Sequence, residues 1–161
     1  MATARQYWLM KTEPSVFSFD DLMRAPKRTT HWDGVRNYQA RNFMRDEMKA
    51  GDGVFIYYSS TDEPGIAGIA EVAREAYPDP SAFDKRDPHY DPASKPDAPT
   101  WYVVDVRGVE KLPAFVTLAQ MRSVKALEGM RLLQKGNRLS ITPVTRKEWE
   151  VVRALGGLGK D

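Results

Sequence analysis

The sequence predicts an α+β fold, mainly β: a small, partly open barrel of five or six strands with short helices packed outside it. Short runs of β-branched and aromatic residues recur along the 161-residue chain, each closed by Pro, Gly or Asp. These runs do not alternate regularly with helical segments, which disfavours the parallel sheets of doubly wound folds. Gly65 and Gly68 interrupt one run, as a small barrel requires where a strand turns a corner.

The elements follow in order. Tyr7 to Lys11 is an apolar run stopped by Thr12-Glu13-Pro14 and reads as the first strand. Ser18 can cap a short helix over Phe19 to Met23, with Asp20 and Asp21 in the first turn where the helix dipole favours them, and Pro26 ends it. His31 to Asn37 has neither period and carries the turn signal Asp33-Gly34, so it reads as a loop. From Tyr38, the spacing of Ala40, Phe43, Met44 and Met48 predicts a helix, with Gly51 just past its end.

Gly53 to Ser59 reads as a strand buried on both faces, and Ile66 to Val72 as its neighbour. Tyr77 to Pro99 holds six of the eleven prolines and reads as a long loop, a candidate lid or site. Trp101 to Leu112 alternates cleanly, Tyr102, Val104 and Val106 against Val103, Asp105 and Arg107. A short helix capped by Thr117 follows Pro113, and Arg138 to Thr142 forms a last strand ended by Pro143. Thr145 and Glu148 form a capping box that opens a helix through Trp149, Val152 and Leu155, closed by Gly156-Gly157.

Residues 1–161 fit one domain, since a chain of 18.3 kDa can bury a core unaided. No run approaches the roughly 18 apolar residues of a membrane span, and Met1 to Arg5 enters the first strand without a signal-peptide core, so a cytoplasmic location is expected. With no cysteine, thiolate nucleophiles, disulfides and iron–sulfur clusters are excluded. A net charge of +2 is too small for a polycation, although Lys125, Arg131, Lys135, Arg138, Arg146 and Lys147 gather in the last third.

The two histidines, His31 and His89, stand far apart in sequence, and Asp87-x-His89-x-Asp91 reads as turn chemistry before it reads as a metal site. There is no nucleophile elbow and no Gly-rich phosphate loop. The expectation is no metal and no cofactor.

Trp32 to Asn42 differs in kind. It packs two aromatics, two arginines, two asparagines and a glutamine into eleven residues beside irregular backbone. Such groups suit base recognition: a flat surface to stack on, amides with donor and acceptor side by side, and guanidinium groups for phosphate. Residue by residue, the same stretch also reads as Trp32 and Tyr38 in the core, with Arg36 and Arg41 paired to acids.

At this stretch the sequence resembles the EVE domain family, a branch of the PUA-like superfamily related to YTH and ASCH domains. The motifs that carry the resemblance run in order from Tyr7-Trp8-Leu9-Met10-Lys11-Thr12-Glu13-Pro14, through Trp32 to Asn42, Gly51-Asp52 leading to Tyr57-Tyr58-Ser59, Gly65 to Ala70 and Tyr77-Pro78-Asp79, to Arg138-Leu139-Ser140-Ile141. It implies a PUA-like barrel with a concave, aromatic-walled pocket that accepts a flipped, modified base, such as a modified cytosine or adenine, in DNA or RNA without catalysis. Carried onto this chain, the pocket draws on Lys11, Trp32, Val35, Arg36, Asn37, Tyr38, Ala40, Asn42, Tyr58, Ser59, Arg138 and Ser140, with Arg36, Arg41 and Arg138 on flanking phosphates.

The family often has Tyr-His-Ser where this chain has Tyr57-Tyr58-Ser59. A phenol still offers a wall and a hydroxyl, but it does not become cationic near neutral pH as an imidazole can. The expected partner is single-stranded or locally opened nucleic acid, bound by a monomer. An enzyme acting on nucleic acid or a modified nucleotide, and a free-nucleoside sensor, are the competing classes.

Overall fold

The computed structural model describes residues 5–159; the first four residues, on which the reading of the N-terminus rests, and the last two lie outside them. Six strands form one sheet: β1 (Tyr7–Thr12), β2 (Thr29–His31), β3 (Gly53–Tyr58), β4 (Gly65–Pro78), β5 (Tyr102–Thr117) and β6 (Ile141–Val144), in the order β2-β5-β4-β3-β1-β6. β1 and β3 are parallel, whereas the other pairs are antiparallel. A parallel pair needs a long crossover. Residues 13–52 supply it, carrying helix α1 (Phe19–Arg24), β2 and helix α2 (Tyr38–Asn42), which continues as a π-helical turn over Phe43–Glu47.

The two-residue period of a strand sorts side chains to opposite faces. On β1 and β3, Trp8, Met10, Val54 and Ile56 enter one cluster with Trp32, Phe43, Val106 and Ile141. Tyr7, Leu9, Phe55 and Tyr57 enter the other, with Met121 of α3 (Leu118–Arg122) and Trp149 and Val152 of α4 (Arg146–Leu155). The first cluster unites β5 at one side of the sheet with β6 at the far edge, as a sheet curled toward a barrel requires. In the second, Trp149 stacks on Phe55 at 4.2 Å between ring centroids.

The expected caps form. Ser18 with Asp21, and Thr145 with Glu148, make reciprocal capping boxes, and Thr117 caps α3. Gly68 is a point of close approach, because a Cβ there would lie 2.5 Å from the Phe19 ring, and the β4–β5 register shifts beside it.

Four boundaries differ from the sequence reading. Thr29–His31 is an edge strand three residues long, too short to show a period. β4 runs past Val72 to Pro78, so Tyr77 and Pro78 belong to the strand rather than to the loop; register shifts carry it through polar residues that show no alternation. β5 runs through Pro113 to Thr117, and the proline sits where the ladder skips from Lys111 to Val116. β6 is Ile141–Val144 and contains Pro143, which an edge strand tolerates because one side of it has no partner to serve.

Candidate functional site

A recess of about 370 Å³ opens beside the end of β1, the turn that follows it, and β2. That volume falls within the roughly 300–1,000 Å³ of small-molecule sites. Trp32 is only 8% exposed yet lines the recess, and Phe17 meets its indole edge-on at 6.3 Å. Thr12 Oγ1 donates to the Phe17 carbonyl at 2.8 Å and so fixes the turn that carries Phe17. Val16, on the same turn, is 74% exposed, an apolar side chain with nothing covering it.

The polar lining comes from Lys11, Thr30, His31, Asp33 and His89. Burial pushes the Lys11 ammonium below its ordinary pKa, and its nitrogen lies 5.9 Å from the Tyr57 ring centroid. The recess therefore offers an aromatic wall, one partly desolvated ammonium and one carboxylate.

Asp79 holds the loops around it. This fully buried carboxylate accepts from the Gly34 N–H at 3.1 Å, from Arg36 Nη1 at 3.0 Å, and from the Ser81 N–H at 2.8 Å and hydroxyl at 2.6 Å. Burial raises its pKa, but the hydrogen bonds from Ser81, Arg36 and Gly34 outweigh that and hold it below the ordinary carboxylate value. Arg36 Nη2 donates to the His89 carbonyl at 2.6 Å, which brings the 79–91 loop to the edge of the recess. Gly34 has φ +77°, and a Cβ there would lie 2.6 Å from His89 Nε2; only glycine suits both the turn and the neighbouring ring.

Asp87 and Asp91 accept from the N–H groups of His89 and Ala93, the turn chemistry the sequence suggested. Asp91 also accepts from Trp101 Nε1, the main reason its carboxyl is held low. Asp33 replaces it: Asp33, Asp87 and His89 bring one possible ligand atom each within 4.8 Å of one another.

The residues expected at the site are distributed over several roles. Lys11 and Trp32 line the recess. Val35 and Ala40 are buried in the first apolar cluster rather than in the recess. Arg36 is bound to Asp79 and lies over the Trp101 ring at 5.3 Å. Tyr38 is 62% exposed and stacks on Trp101 at 5.1 Å, outside the recess. Arg41 covers Tyr38 at 5.0 Å, donates Nη1 to the Thr100 carbonyl and donates Nε to Asn42 Oδ1. Tyr58 accepts from the Phe19 N–H at 2.9 Å, tying β3 to the start of α1.

Ser59 and Ser140 flank the recess through backbone: the Ser59 N–H donates to the Thr12 carbonyl, and the Ser140 carbonyl accepts from the Lys11 N–H. Asn37 caps α2 and, with Arg138, lines a second, polar groove of about 410 Å³. Sequence reasoning missed Thr12, Val16, Phe17, Thr30, His31, Asp33 and His89 as lining residues. An exposed Val16-Phe17 pair just after a strand was the available signal. For His89 the available signal was the 77–99 loop, read as a candidate lid or site; nothing singled out this residue within it, since its place depends on a contact with the distant Gly34.

The curled six-stranded sheet and its ligand-sized hollow define a mainly β domain with a concave site. More particularly, the chain belongs to the EVE domain family, which matches residues 6–155. Human thymocyte nuclear protein 1 is 47% identical over 166 residues, which span 92% of this chain and 73% of that protein. The crystal structure of human THYN1 in complex with 5-methylcytosine-containing DNA superposes with a TM-score of 0.88 at 46% identity, covering 94% of this chain and 98% of that one. A YTH domain from Zygosaccharomyces rouxii, in complex with N6-methyladenosine RNA, gives a TM-score of 0.54 at 11% identity over 99% of this chain and 89% of that one, a likeness of fold alone.

Proposed function

We propose that this chain is a reader of a modified base in nucleic acid, seating an extruded or single-stranded nucleotide in the recess and leaving it chemically unchanged. The observation that carries this is the 370 Å³ recess walled by Trp32 and Phe17, with Lys11 and Asp33 both in its lining. The DNA bound by human THYN1, 46% identical to this chain, supports the choice of ligand.

The chemistry suits a base edge that pairs a donor with acceptors. Asp33 takes an exocyclic amine, as carboxylates do with cytosine N4, and Lys11 donates to a ring nitrogen or carbonyl. A methyl on the base packs against Val16 and Phe17 and adds about 0.8 kcal/mol if fully buried, roughly fourfold in affinity. Extrusion from a duplex costs a few kcal/mol, so single-stranded and weakened sites bind better. Arg138 holds flanking phosphate, while Arg36 braces the loops at the edge of the recess and Arg41 is committed outside it to Tyr38, Thr100 and Asn42.

The test is a binding panel of single-stranded oligonucleotides carrying 5-methylcytosine, N6-methyladenine or neither, at two salt concentrations. Loss of the stacking face in Trp32→Ala weakens binding about 5- to 150-fold, with partial recovery in Trp32→Phe. Unchanged affinity in a Trp32→Ala protein that retains its circular-dichroism spectrum overturns the reading. New products by mass spectrometry would make the protein an enzyme; binding of free nucleosides indifferent to salt would make it a sensor.

A further inference from the structure

We infer that the groove formed by residues 131–139 is a second binding site, one that takes the sugar–phosphate backbone of a single nucleic-acid strand whatever its bases. The inference takes its ligand class from the reader function and adds a site to it. Arg131, Lys135 and Arg138 are exposed and line one groove with Asn37 and Gln39. Among the described residues no carboxylate lines this groove, and none of the three cations has an ion-pair partner. Some cations elsewhere on the surface are paired, as Lys111 is with Asp20 and Arg24 with Asp21, and others stand singly; here three unpaired ones converge on one groove.

The segment is shaped before any ligand arrives. Gln134 Nε2 donates to the Glu128 and Met130 carbonyls, both at 3.0 Å. Asn137 donates to the Arg131 carbonyl and accepts from the Leu139 N–H at 3.1 Å, while Gly136 turns the chain at φ +78°. Leu132 is buried in the second apolar cluster and Leu139 packs on the first, pinning both ends. The amides of Gln134 and Asn137 are consumed in holding the loop, and the three cations are left for an anion. A fixed array of cations facing one groove suits a repeating phosphodiester, whose binding is dominated by such contacts and carries no sequence information.

One end of the groove stands a short span of chain from a residue hydrogen-bonded beside the recess. Arg138 stands two residues, at most about 7 Å of extended chain, before Ser140. The Ser140 carbonyl accepts from the N–H of Lys11, whose side chain lines the recess. A strand with one base seated in the recess thus passes neighbouring phosphates along the groove.

The experiment titrates single-stranded oligonucleotides, unmodified and with one 5-methylcytosine, against wild type and Arg131→Gln/Lys135→Gln over a salt series. Expected is about a tenfold loss for both oligonucleotides at low salt, with the modified-to-unmodified ratio kept. The slope of log K against log salt becomes shallower by about 1.4, two contacts at about 0.7 each. The charge-preserving Arg131→Lys/Lys135→Arg protein restores both, which separates lost charge from lost fold. Unchanged affinity and slope in the neutralised protein overturn the groove, even where Trp32→Ala abolishes discrimination. If the neutralised protein loses its salt-dependent binding while wild type ignores both the methyl group and Trp32→Ala, the recess reading fails and the groove stands.

Discussion

Two basic stretches of this chain look alike in composition and differ in what their charges do. Around the recess, Arg36 is bound to Asp79 and the His89 carbonyl, and Arg41 is spread over Tyr38, Thr100 and Asn42. In the 131–139 segment, Arg131, Lys135 and Arg138 are exposed and unpaired among the described residues. The difference lies in the acceptors within reach. A buried carboxylate at Asp79 turns Arg36 into scaffold, whereas among the described residues no carboxylate lines the groove. A dense patch of recognition residues therefore marks where a wall is built as much as where a ligand lands.

The strongest way to break this comparison is to remove the acid that consumes Arg36. Breaking a buried ion pair costs about 3–5 kcal/mol, and Asp79→Asn should fall near 3 because Arg36 keeps some solvent contact. Urea unfolding measures it; a loss under about 1 kcal/mol, within reach of one ordinary hydrogen bond, would mean that Asp79 does not organise the loops. The sign with pH follows from the depressed carboxyl. Its stabilisation is fully present above the unfolded value near 4 and is lost as pH falls through the lower folded value. Asp79→Asn should flatten that acid limb of the stability curve.

Gly34→Ala is the next largest. A non-glycine residue at φ +77° costs about 1–2 kcal/mol, and contact with the His89 ring adds overpacking, for about 2–3 in all. Combining it with His89→Ala should recover the overpacking share and leave the backbone share. Equal costs of Gly34→Ala in the two backgrounds, compared in a double-mutant cycle, would show that His89 does not rest on Gly34.

Local signals in the sequence were legible where local chemistry decides. The cap at Ser18, the capping box at Thr145 and the Asx turns at Asp87 and Asp91 all follow from residues near one another in the chain, whereas the neighbour that Gly68 approaches, Phe19, lies far away in sequence. β2 was not legible, because three residues hold no period and the strand exists only through its ladder with Asp105 to Arg107. In the site, Trp32 and Lys11 were found but His89 was placed only in a candidate loop, since a residue 55 positions beyond Gly34 is held at the recess by contacts with Gly34 and Arg36 that no local pattern shows. The alternative reading of Trp32 to Asn42 as structural was half right. Arg36 is indeed paired to an acid, whereas Tyr38 is exposed rather than in the core.

The finest test sits on Arg41, where the two stretches come closest to sharing a role. Its Nε and Nη1 are given to Asn42 and Thr100, and its plane lies 5.0 Å from the Tyr38 ring centroid. One Nη1–H and the two Nη2–H groups are left for a phosphate, and using them must not disturb the other contacts. Arg41→Gln should therefore change the salt slope by no more than the 0.7 or so of a single contact, against about 1.4 for the paired groove substitutions. The same oligonucleotide titrations read both. A slope change for Arg41→Gln equal to that of the double variant would reverse the comparison, because a guanidinium already committed to a carbonyl, an amide and a ring would then be carrying as much phosphate as two free cations.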